Sequence, residues 1–246
     1  MRRRAFLLLM LAWSLPAAAA PVTIAAAADL RGVLPAIIAD FRAATGRQVT
    51  PVFGASGSLT QQMLNGAPHQ LLLAADADYP ARLVAAGKAD GRPRVFALGR
   101  VALLATRASG VTGLASLRAA IDAARVRRVA IANPAVAPYG RAAQAVLNGA
   151  GLKPPLALGE NVAQAVHFVA SGAADAGIVS AALARDATAR AGAGLVMNEL
   201  PASAHPPLSQ SLVLARGAGA DARAFAAWMT GPRARARLAA AGFDLP

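Results

Sequence analysis

Cysteine is absent from all 246 residues. That excludes disulfides, thiolate metal sites and the acylated cysteine of a bacterial lipoprotein. Lysine is nearly missing: Lys88 and Lys153 stand alone, and the other cationic side chains are arginine. Aromatic residues make up 4% of the chain, and no basic block is interleaved with them. The formal charge of +13 is therefore a scatter of arginines, which argues against nucleic-acid binding and for a diffuse field that attracts small anions. Histidine is scarce too. His69, His167 and His205 lack metal-site spacing, and the neighbourhood of each has a plainer use: an apolar helix around His167, a rigid connector at His205-Pro206-Pro207.

What is present begins with an export pattern. Arg2, Arg3 and Arg4 precede an apolar run, Ala5 through Leu15, too short to span a bilayer, and small residues follow. Pro21 disfavours cleavage directly before it, so the cut falls after Ala18 or Ala19 and residues 1–19 are assigned as signal peptide. Arg3-Arg4-Ala5-Phe6-Leu7 also has a twin-arginine look. No second stretch reads as a membrane helix. Removing the leader lowers the formal charge from +13 to +10 and leaves about 227 residues, enough for one or two domains in the periplasm.

The remaining chain alternates short apolar runs with helical spacing, which predicts an α/β fold with largely parallel sheets. Strands are expected at 22–26, 49–53, 71–74, 100–106, 129–132, 156–158, 176–179, 195–198 and 211–215. The run Leu30, Val33, Leu34, Ile37, Ile38, Phe41 has helical spacing, with Pro35 disturbing its first turn. One continuous helix is expected from Asp221 to Ala241.

The turns after these strands carry the candidate chemistry, because ligands of open parallel sheets bind at the strands' carboxyl ends. The stretch Gly54-Ala55-Ser56-Gly57-Ser58-Leu59 opens a helix, whose first N–H groups are unpaired and sit at the positive end of its dipole. Ser58 with Gln61 fits a capping box, leaving Ser56 to face a ligand. Asn161 with Gln164 fits a second box. A hydrolase built on Ser56 is poorly supported, since 54–58 lacks the final glycine of G-x-S-x-G. Asp76 and Asp78 look like paired carboxylates but read more simply as a polar turn before the Tyr79 helix.

The ordered pieces "VTIAAAADL" (22–30), "FGASGSLTQQMLNGAP" (53–68), "LLLAADADY" (71–79), "AIANPAVAPYGRAAQAVL" (130–147), "GENVAQAVHFVASGAADAGIVS" (159–180) and "AHPP" (204–207) resemble the periplasmic molybdate-binding proteins of ABC importers. That resemblance implies a type II periplasmic-binding-protein fold: two α/β lobes joined by a two-strand hinge, the ligand cleft between them. Lobe one is then 20–99 plus 205–246, and lobe two 100–204. It implies a monomeric receptor, not an enzyme, without a cofactor. Its cargo is molybdate or tungstate, and its partner an importer permease with its ATPase. Mapped residue by residue, the ligand-binding set falls on Asp29, Ser56, the Tyr139 and Val162 N–H groups, and Ser180.

Two positions depart from the family pattern. Ser180 is shorter than the family's tyrosine, a gap the Tyr139 hydroxyl partly fills. Asp29 replaces a serine. A carboxylate about 4 Å from a dianion costs roughly 8 kcal/mol at an effective dielectric near 20. The expected escape is that Asp29 caps the helix at Leu30 while its N–H faces the ligand. Protonation, an offset by Arg31 or Arg141, or a different solute such as an amine-bearing one are the alternatives. Independently of the ligand, the leader predicts a mature protein starting at Ala19 or Ala20 and released by osmotic shock. Intact-mass measurement of an uncleaved or lipidated chain would refute it.

Overall fold

The computed structural model describes residues 22–246, so the leader assigned to 1–19 lies outside the described residues. Strand β1 (Val22–Ala27) leads through a 3-10 turn, Ala28–Gly32, into α1 (Leu34–Thr45). The helical periodicity from Leu30 is thus split. Pro35 has no N–H for the Arg31 carbonyl, so the regular helix begins only at Leu34 and the turn before it tightens. Gly46, at φ 70°, closes α1 by donating its N–H to Arg42.

There follow β2 (Val49–Gly54), α2 (Ser56–Leu64), β3 (Leu71–Ala74), α3 (Asp78–Ala85) and β4 (Ala89–Gly99). The second half contains β5 (Val101–Thr106), α4 (Leu114–Asp122), β6 (Val129–Ala132), α5 (Pro138–Gly149) and β7 (Leu156–Gly159). It continues with α6 (Val162–Ala170), β8 (Ala176–Ser180), α7 (Ala181–Ala191) and β9 (Leu195–Glu199). Then β10 (Leu208–Ala215), α8 (Ala220–Met229) and α9 (Pro232–Ala240) complete the chain. The expected single C-terminal helix is broken at Thr230-Gly231, because Pro232 cannot donate within a continuing helix and instead takes the first turn of α9.

The strands form two five-stranded sheets, β2-β1-β3-β10-β4 and β7-β6-β8-β5-β9. Each has a parallel trio, β2-β1-β3 or β7-β6-β8, as helical crossovers require. Each also has two antiparallel pairings, β3-β10 and β10-β4 or β8-β5 and β5-β9, so the sheets are mixed rather than largely parallel. Strand β4 is an edge, which is why it tolerates Pro93.

The chain passes between the sheets twice, at Arg100 between β4 and β5 and through residues 200–207 between β9 and β10. The Arg100 guanidinium pairs with Glu199 and Asp244, each at 3.0 Å, tying this crossing to both the end of β9 and the C-terminus. Each sheet has its own core. Phe41, Phe225 and Leu73 belong to the first, and Leu104, Ile131 and Ile178 to the second. Four alanines at the carboxyl ends of the first sheet's strands, Ala27, Ala28, Ala55 and Ala75, join the second core. The two lobes are therefore closed upon one another.

Candidate functional site

Between the lobes lies a small cleft lined by residues of both. Asp29, Ser56, Tyr139 and Val162 all line it, with Asn161, Pro138 and a ring of alanines and Gly54. The structure thus brings four of the five residues expected from the sequence to one place. Ser180 does not line it. It is fully buried at the end of β8, its hydroxyl without a partner.

Two helices start at this cavity. Tyr139 is the second residue of α5, behind Pro138, and Val162 is the first of α6. First-turn N–H groups have no partner inside their helix. The Asn161 side chain caps α6 as expected, but takes the N–H groups of Ala163 (3.0 Å) and Gln164 (3.1 Å), which leaves that of Val162 free. The reciprocal half of the expected box shifts by one residue: Gln164 Oε1 accepts from the Glu160 N–H.

The expected roles of Ser56 and Ser58 need correction. Helix α2 starts at Ser56 itself, Ala55 occupies the cap position, and no side chain caps it. Ser58 is already inside the helix. The Ser56 hydroxyl is not idle either, since it accepts the Ala75 N–H at 3.0 Å. That bond fixes the oxygen and leaves its proton to donate into the cavity. No base stands behind Ser56, and none of the three histidines lines the cavity, so nothing here resembles an activated nucleophile.

Asp29 is also corrected. It lies inside the 3-10 turn, whose cap position is Ala27 with no side-chain bond. The carboxyl points inward, 1% exposed. Its Oδ2 accepts from Gln210 Nε2 of β10 at 2.8 Å, and its Oδ1 has no partner. Burial pushes its pKa from 3.8 up to about 7, against the opposing influence of the nearby Tyr139 hydroxyl, the Gln210 amide and the local backbone N–H groups. The suggested cationic offsets are engaged elsewhere: Arg31 stands over the Phe53 ring and Arg141 pairs with Asp76. Behind Asp29, the Tyr139 hydroxyl abuts Gly99, where a Cβ would collide with it and come within 2.9 Å of Gln210 Nε2. Burial, followed by the Asp29 charge, raises the Tyr139 phenol well above its usual range, so it stays neutral.

Contacts across the cleft complete the site. The Gly57 N–H donates to the Val136 carbonyl at 2.8 Å. Arg141 of α5 pairs with Asp76 and donates to the Tyr79 hydroxyl at 3.0 Å. The other oxygen of Asp76 accepts the Tyr79 N–H at 3.2 Å, so the helix-capping use expected for this turn is present. Asp76 thus holds α3 and latches the lobes together. Sequence reasoning missed the latch and Gln210. A polar residue inside the apolar run of β10 was the available signal for Gln210.

Residues 22–244 match the family described as bacterial extracellular solute-binding protein. The chain belongs to that family. It is 32% identical to the molybdate-binding protein ModA of Azotobacter vinelandii, covering 93% of this chain and 92% of that one. With ModA of Rhodobacter capsulatus the identity is 34%, over 89% and 85% of the two chains. The solved periplasmic molybdate-binding protein of Azotobacter vinelandii superposes with a TM-score of 0.82 at 31% identity, covering 92% of this chain and 99% of that one.

The closed contact at Gly57 yields a test that needs no ligand. A Cβ at this position would sit 2.7 Å from the Tyr79 hydroxyl and 2.8 Å from the Val136 carbonyl. Gly57→Ala should therefore hold the lobes apart. A spin-label pair on introduced cysteines, one on α2 and one on α5, should lose its short-distance population. The melting temperature should hold, since alanine favours a helix by up to about 1 kcal/mol over glycine. Unchanged distances would show that this contact does not limit closure.

Proposed function

We propose that this solute-binding protein captures molybdate, or the similar tungstate, in the periplasm and presents it to an ABC importer. The observation that carries the reading is the convergence of neutral donors on one small cleft between the lobes. The Ser56 hydroxyl comes from one lobe, and the Tyr139 and Val162 N–H groups from the other. Helix N-termini and aligned N–H groups favour anions without any cationic side chain. A tetrahedral oxyanion offers an acceptor to each lobe, so binding favours closure. The kinship with molybdate-binding proteins supports the choice of oxyanion. The leader pattern at 1–19 supports export, and export supports delivery to a membrane permease.

Asp29 gives a second reading its one specific support. A buried carboxyl in the cavity wall suits a solute carrying a positive group. The oxyanion reading instead requires the carboxyl to be neutral when the cleft is filled. With a pKa about 7 in the closed cleft, neutralising it there at neutral pH costs roughly 1 kcal/mol or less, far below the repulsion of an ionised group. The magnitudes therefore favour the oxyanion.

Calorimetric titration with molybdate, tungstate, sulfate and phosphate decides between these. The expected order places molybdate and tungstate first, with sulfate under-filling the cavity. No heat from any oxyanion would favour the second reading. Ser56→Ala removes a hydrogen bond to a charged ligand worth about 1.5–3 kcal/mol, so molybdate affinity should drop roughly 10–150-fold. It also strands the buried Ala75 N–H, so the ligand-free protein should lose about 1–3 kcal/mol of stability. Chemical denaturation of the apo-protein reads the second effect. Loss of either effect alone would remove one of the two roles given to this hydroxyl.

A further inference from the structure

We propose that a proton is a co-ligand of this site: each oxyanion bound as a dianion is taken up with one proton, held on Asp29. The inference rests on the oxyanion reading above and deepens it.

The geometry leaves little other choice. Asp29 reaches the cavity from the turn after β1, and the lobes close over it. The groups facing it are neutral or engaged. From α5 comes the Tyr139 phenol, and from β10 the Gln210 amide, which donates to Oδ2. From its own turn come the backbone N–H groups, while Arg31 is turned to Phe53. On α7, Arg185 and Asp186 share an outer groove with Asp29, but Arg185 pairs with Glu199 and Asp186 with Arg190. Among the described residues no cation is placed to balance a carboxylate here, and a dianion beside it makes ionisation harder still. With the Gln210 amide donating to Oδ2, the proton is assigned to the unpartnered Oδ1.

The sign follows from linkage. Burial raises this pKa, and the filled cleft raises it further, so the complex holds a proton that the free protein loses as pH rises. Above the free-protein value, affinity must fall by one power of ten per pH unit. Molybdate itself stays a dianion in this range, so the slope belongs to the protein.

The test is titration of the full mature chain with sodium molybdate between about pH 7.5 and pH 9. Wild-type affinity should fall about tenfold per pH unit, roughly 30-fold over the range. Calorimetry in buffers of different ionisation enthalpy should count close to one proton taken up per molybdate. Asp29→Asn places an amide oxygen toward Gln210 and an amide N–H where the proton was. It should remove the slope and bind molybdate more tightly than wild type at about pH 9. The proton count on wild type stands even if that variant fails to fold. Affinity that is flat with pH, or a proton count near zero, overturns the co-ligand while leaving the oxyanion reading intact. No molybdate binding in wild type or Asp29→Asn at any pH overturns both.

Discussion

The 2.8 Å bond from the Gly57 N–H to the Val136 carbonyl sets how closely the two lobes approach. Everything distinctive about the site depends on that approach. Ser56 precedes Gly57, and Tyr139 follows Val136 by three residues, so the bond stands beside the donors of both lobes. It is made by backbone on both sides, and a residue with any side chain at 57 would interpose a carbon between them. The Arg141–Asp76 pair lies farther out, with the arginine partly in solvent, and such pairs contribute little by themselves. Its value is geometric. It forms only when α5 meets the turn before α3, and so adds a small bias toward the same closed arrangement.

Closure has opposite consequences for the two kinds of polar group in the cleft. The helix-start N–H groups are neutral, cost far less than a charge on leaving water, and gain strength toward an anion as the dielectric falls. Asp29 loses hydration with only one side-chain hydrogen bond of good geometry in return. A buried acid in that position becomes a neutral one. The cleft therefore discriminates by charge state in two ways at once. It accepts anions because its dipoles point inward, and it tolerates its own carboxyl only when that carboxyl carries a proton. Gln210 helps by offering a donor to one oxygen, and the Tyr139 hydroxyl fills the space over Gly99.

Much of this was legible in the sequence because it was local. The strand ends, the small residues after them and the Asn161 cap are set within four or five residues, and they lie where periodicity and capping preferences place them. The failures were of two kinds. Some were local competitions decided by proline: Pro232 split the C-terminal helix, and Pro93 disguised an edge strand that begins at Ala89. The others were long-range. Nothing near Ser56 in sequence announces that its hydroxyl is claimed by Ala75, 19 residues on. Asp29 looked like a helix cap because aspartate is a preferred one, and only β10, which brings Gln210 beside it across 181 residues, turns it inward. Arg141 was weighed as a neighbour of Asp29 and is instead committed to Asp76.

The alanines around the cleft follow from the same geometry. A ligand held by backbone N–H groups must come within about 3 Å of the main chain, and side chains at those turns must not stand in the way. Ala27, Ala28, Ala55, Ala75 and Ala137 all line the cavity, and each is nearly or fully buried. Larger side chains there would hold the lobes apart; glycines would close as well but would cost more backbone entropy in the turns. Alanine satisfies both demands. The same small residues deprive the cleft of any side-chain cation, so its affinity for an anion has to come from dipoles. A cleft so lined has no means of neutralising Asp29 by ion pairing, and the proton is what remains.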